Sequence, residues 1–165
     1  MSIKKPLVLR RLEFIRLEAI HKEPRDQALT MIMRVISNYA TLNKDVSSSK
    51  ALRLNKNISE AAFNELVKSK TLNDWVKKVT NEHQMPLKET WKIFTDEKNR
   101  ITIDYIWKHF EEYPMTTILK TENERLDALG YRDNGMPEER YKAAKIKLIK
   151  PLLKQSPEDW WRSNK

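Results

Sequence analysis

Only two glycines, Gly130 and Gly135, stand in the 165 residues of this chain. Tight β-turns use glycine wherever the backbone must take a positive φ, and a count this low argues against a hairpin-built sandwich or barrel. Helices need such residues only at their ends. The apolar pattern agrees. Val8, Leu12, Ile15 and Ala19 recur at helical spacing, and Ala28, Met31, Ile32, Val35, Ile36 and Tyr39 mark a second helix over 25–42.

Further along, the helix starts are legible as caps. Ser59, Thr71, Thr102 and Ser156 read as N-caps, with Phe63, Trp75 and Ile106 placed as staple residues behind the first three. The segment Ile101–Trp107 is also rich in β-formers, but cap and period together favour helix. Thr121-Glu122-Asn123-Glu124 reads as a capping box. Gly130 falls at the C′ position that follows, with Leu126 and Tyr131 spaced for a Schellman contact. Pro137 opens a helix at N1. The fold class expected is therefore all-α: an irregular orthogonal bundle of about seven or eight short helices. It forms a single domain over 1–165, with a linker at 43–49, a basic helix at 137–154 and a Trp-containing tail at 156–165.

There is no cysteine, which excludes disulfides, thiolate nucleophiles and Cys-ligated zinc. No apolar run reaches the length of a transmembrane helix, and Arg10 and Arg11 interrupt the one N-terminal stretch that begins like a signal peptide. The expected location is cytoplasmic.

Charge is distributed unevenly. Residues 82–139 hold eight Lys/Arg against thirteen Asp/Glu, whereas residues 140–154 hold six basic residues and no acidic one. On a continuous helix Arg140, Lys147, Lys150 and Lys154 fall within an arc of about 80°, opposite Tyr141, Ala144, Leu148 and Leu152. Such a face suits phosphates, an anionic membrane or an acidic groove. The alternative is a core helix with a solvated lysine edge. Lys77 and Lys78 lie on the second of two short helices, within a span the length of a helix-turn-helix. Trp160 and Trp161 follow the basic helix and suit base stacking or an interface, though terminal Trp residues more often pin a tail to the core.

Nothing in the sequence specifies a reaction. His21, His83 and His109 have no metal-ligating partner at helical spacing and read as surface or interface residues. Asp96-Glu97-Lys98 has the order of a nuclease triplet but reads as a solvated loop. No catalytic residue, metal or cofactor is expected. Two functions lead, ahead of a third, an enzyme whose site is assembled from residues far apart in sequence. The first is non-enzymatic nucleic-acid binding, to DNA or RNA, as a regulatory or accessory protein using the basic C-terminal helix. The second is a protein–protein adaptor or inhibitor, using the acidic 82–139 region and the Trp pair.

Overall fold

In the computed structural model, which describes residues 6–43, 53–149 and 155–165, the two N-terminal stripes form helices where their period places them. These are α1, Pro6–His21, and α2, Gln27–Leu42. Asp26 caps α2 by accepting the Leu29 N–H at 2.7 Å. Two later helices, α5 (Leu87–Asp96) and α6 (Ile103–Glu112), join them to make a helical layer. Its core is Leu12 and Ile15 from α1, Met33 and Ile36 from α2, Trp91 and Phe94 from α5, and Ile106, Trp107 and Phe110 from α6. The cap at Thr102 forms as expected, with its hydroxyl accepting the Tyr105 N–H at 3.1 Å.

The rest corrects the all-α expectation. Nine helices account for 63% of the described residues, but they share the protein with a four-stranded mixed sheet. Its strands are β1 (Ile58–Ser59), β2 (Val79–His83), β3 (Met115–Leu119) and β4 (Leu148–Ile149), in the order β2-β3-β1-β4. β2 and β3 pair antiparallel from Val79↔Leu119 to His83↔Met115. β1 runs parallel to β3 and antiparallel to β4.

Glycine scarcity misleads because no strand-to-strand connection here is a hairpin. β1 reaches β2 through α3 (Glu60–Lys68) and α4 (Leu72–Lys78). β2 reaches β3 through α5 and α6. β3 reaches β4 through α7 (Lys120–Ala128) and α8 (Pro137–Ala143). Crossovers of this kind turn on helix ends, not on two-residue loops. A sheet assembled this way needs almost no glycine.

Two further apolar clusters flank the strands. Ile58, Ala62, Leu66, Trp75, Val76 and Val79 form one, joined by Trp160 and Trp161 from α9 (Pro157–Asn164). Trp75 also donates its indole N–H to the Ala62 carbonyl at 2.8 Å, tying α4 to α3. Ile118, Leu126, Tyr141, Ala144 and Ile146 form the other.

The basic helix expected over 137–154 is a second correction. α8 ends at Ala143 because Lys145 takes a left-handed φ of 53°. The Lys145 N–H then bonds the Lys142 carbonyl at 3.1 Å, and the Ile146 N–H bonds the Tyr141 carbonyl at 2.8 Å. This is a Schellman closure with lysine where glycine is usual. Beyond it the chain extends into β4. The same device, on Lys22 with φ 55°, ends α1. Residues 44–49 of the expected linker, together with Lys150 and Lys154, lie outside the described residues.

The box at Thr121 also moves. α7 begins at Lys120, and Glu122 at N3 reaches back to the Leu119 N–H at 2.8 Å and accepts the Ser59 hydroxyl at 2.6 Å. The predicted end at Gly130 holds: its N–H bonds the Asp127 carbonyl, and the Tyr131 N–H bonds that of Leu126.

Candidate functional site

Arg140 sits at the fourth position of α8, and its side chain turns inward, not toward solvent. It is fully buried. One guanidinium nitrogen donates to the His83 and Gln84 carbonyls at 2.8 and 3.0 Å. The other donates to the Tyr131 carbonyl at 2.8 Å and to the Glu82 carboxylate. The fork thus binds the end of β2, an edge strand, to α8 and to the turn after α7. Burial pushes the Glu82 carboxyl up to about 7, against the pull of Arg140. The carboxylate comes from the acidic segment and the guanidinium from the basic one, so the charge contrast in the sequence is here an intramolecular clasp.

The other cations expected to face phosphates also have carboxylates beside them. Lys147 is exposed and pairs with Glu60 at 2.9 Å. Lys78 pairs with Glu65, and Lys77 lies 3.9 Å from Asp74. All four described members of the set are therefore matched by acid. Outside the described residues lie six lysines and one aspartate, which leaves 26 Lys/Arg against 22 Asp/Glu within them. More than half of the +9 balance is thus carried by residues the structure does not describe.

The two short helices of the helix-turn-helix span do follow each other as α3 and α4, with Lys77 and Lys78 in the last turn of the second. Trp75, at the start of α4, is wholly buried against α3. Trp160 and Trp161 are half-buried. Trp160 meets Phe63 edge-on at 5.3 Å between ring centroids, and the Lys165 ammonium lies over Trp161. That arrangement pins α9 to α3.

Chemistry-bearing groups are dispersed. Asp96 ends α5, and Glu97 and Lys98 lie in the turn after it. Among the described residues no three His, Asp or Glu side chains are grouped to hold a metal ion. His109, read from the sequence as a surface or interface residue, is buried. Its Nε2 lies 3.1 Å from the Thr90 hydroxyl, and Phe94 and Tyr113 pack on its ring. It is buried because α6 packs against α1 and α2 as well as α5. Burial pushes its pKa down to about 4. The same holds for His83, where Arg34 and Arg140 add to the effect and the Ser37 hydroxyl lies 3.3 Å from Nδ1. A groove of about 510 Å³ is lined by Thr41–Asn43, Leu54–Asn57 and Ser156.

What stands out instead is the outer side of α1. Among the described residues eight large apolar side chains are exposed, and four of them are on this helix: Leu7, Leu9, Phe14 and Leu17. Leu7, Phe14 and Leu17 are 52%, 38% and 42% exposed, and with Arg10 they follow i, i+3, i+7, i+10 spacing. That is the a/d period of a helix-pairing seam. It lies on the side of α1 away from Val8, Leu12, Ile15 and Ala19, which are all buried. The seam is present in the sequence as a second stripe, hidden because the core stripe already accounts for the helix. Among the described residues no helix is long and apolar enough to cross a membrane. Comparison with models of known protein families, with curated proteins and with solved structures finds no match to this chain.

Proposed function

We propose that the chain is a protein-binding module, an adaptor or inhibitor, that docks through the outer face of α1. The observation that carries this reading is the exposed Leu7, Arg10, Phe14, Leu17 seam on a helix whose opposite side is fully packed. A row of large apolar side chains at pairing spacing is costly to leave in water and is a usual mark of a contact surface.

Nucleic-acid binding is the weaker reading. A phosphate approaching Lys77, Lys78 or Lys147 also approaches Asp74, Glu65 or Glu60, and Arg140 is closed off by Glu82. Counterion release needs cations that are not already neutralised. The interface also differs from the one expected for an adaptor, since the Trp pair is engaged with α3.

The test is site-specific photo-crosslinking in cells. A benzophenone side chain is placed at position 14, and in a control at position 124, an exposed site on α7. The reading predicts discrete protein adducts at 14 and none above background at 124. Equal labelling at the two positions would remove α1 as the docking face.

A further inference from the structure

We propose that the α1 face pairs with α1 of a second copy of this chain, antiparallel, about a twofold axis between Phe14 and Leu17. This deepens the protein-binding reading above and rests on it. The argument is charge complementarity along the seam. With Leu7 and Phe14 as a positions and Arg10 and Leu17 as d positions, Arg11 and Glu18 occupy e and Glu13 occupies g. In an antiparallel pair e faces e. When Phe14 packs on Leu17 of the second copy, Arg11 lies alongside Glu18 of that copy, and the twofold repeats the match. In a parallel pair g faces e, which sets Glu13 against Glu18 of the other chain twice and stacks Arg10 on Arg10. Like charges so placed are unfavourable. The pattern therefore selects both partner and direction: α1 is complementary to itself reversed.

Arg11 and Glu18 are free for this role. Each is half-buried at the flank of α1, and neither forms an ion pair with another described residue, whereas Glu13 is held by Arg16 on its own helix. Only two apolar layers lie at the centre of the seam, and a contact of that size falls at the small end of specific interfaces, below about 1,200 Å². The dimer is accordingly weak and reversible.

Sedimentation velocity across about 10 µM to 1 mM tests this, a range suited to a small interface. The wild-type chain should move from monomer to dimer with concentration. Arg11→Glu and Glu18→Arg should each shift it at least tenfold toward monomer. An equimolar mixture of the two variants should dimerise again. In the mixed pair the acid introduced at position 11 of one chain meets the base introduced at position 18 of the other, and the unchanged Arg11 and Glu18 meet on the same flank, across the twofold axis. That rescue also shows that both variants are folded, and far-UV circular dichroism provides the independent check. A wild-type chain that stays monomeric at the top of the range overturns the proposal, as does a dimer indifferent to both reversals. If it stays monomeric while position 14 still crosslinks to a different protein, self-pairing is wrong and the protein-binding reading stands. If position 14 also crosslinks to nothing, both fail.

Discussion

Replacing Arg140 with alanine separates a buried clasp from a solvated cation more sharply than any other change. The wild-type guanidinium has no exposed surface and serves the Glu82 carboxylate and three main-chain carbonyls, those of His83, Gln84 and Tyr131. Arg140→Ala leaves all four acceptors without their donor and opens a void beside Tyr141. Breaking a buried pair by removing one partner typically costs ~3–5 kcal/mol. At about 2–4 °C per kcal/mol for a chain of this size, the melting temperature should fall by roughly 6–20 °C. Glu82→Gln keeps an acceptor for the fork and leaves the three carbonyls served, so it should cost less. Lys147→Ala, which removes an exposed cation, should stay within about 1 kcal/mol. Urea denaturation at pH 7, followed by both tryptophan fluorescence and circular dichroism, gives the three values. An Arg140→Ala loss as small as that of Lys147→Ala would refute the clasp and return Arg140 to the surface.

Acidification should destabilise the fold between about pH 6.5 and 4. His83 and His109 have folded pKa values of about 4 against 6.5 when exposed, so the unfolded chain binds more protons there, and each costs roughly 3 kcal/mol by the bottom of that window. Glu82, raised to about 7 from 4.5, acts in the opposite sense between those values and offsets one of them, so urea titrations should show a net uptake of about one proton on unfolding near pH 5.5. His109→Gln should flatten that slope. Lys145→Gly should stabilise by about 0.5–1 kcal/mol, since glycine takes the left-handed φ without strain; a loss would mean the α8 stop is misassigned. Trp107→Ala should cost ~3–5 kcal/mol, whereas Phe14→Ala should fall within about 1 kcal/mol, because the first fills the core and the second faces outward.

Local signals in the sequence are legible where one residue decides the geometry. Ser59, Thr71, Thr102 and Ser156 each cap the helix expected of them, and Gly130 ends α7 in the expected Schellman turn. Trp107 and Phe110 are buried, as their spacing implies, whereas Lys147 is exposed on a stretch that is not the helix its spacing assumed. The differences share a physical cause: tertiary context outweighing local pattern. β2 is Val-Thr-Asn-Glu-His, polar along most of its length, and it is a strand because β3 pairs with it on one side while Arg140 satisfies its last carbonyl and the one that follows it. β3 directly follows a helix-ending proline and is only five residues long, too short to show a period. At Lys145 the stop is made by packing Tyr141 against Ile146, with no glycine to announce it. Arg140 reads as solvated because helical periodicity carries on past Ala143 in the sequence, whereas the helix does not. On α1 the seam is visible, but only the structure tells which of two apolar stripes is packed and which is left in water.

The central claim is that contact with partners runs through α1 and not through the basic C-terminal stretch. A single crosslinking comparison decides it: the benzophenone side chain at position 14 against the same group at position 147, irradiated in cells, with each product split between nuclease and protease treatment. The account predicts protease-sensitive, nuclease-resistant adducts at 14, including one at twice the chain mass, and little at 147. Nuclease-sensitive adducts at 147, with position 14 silent, would contradict it.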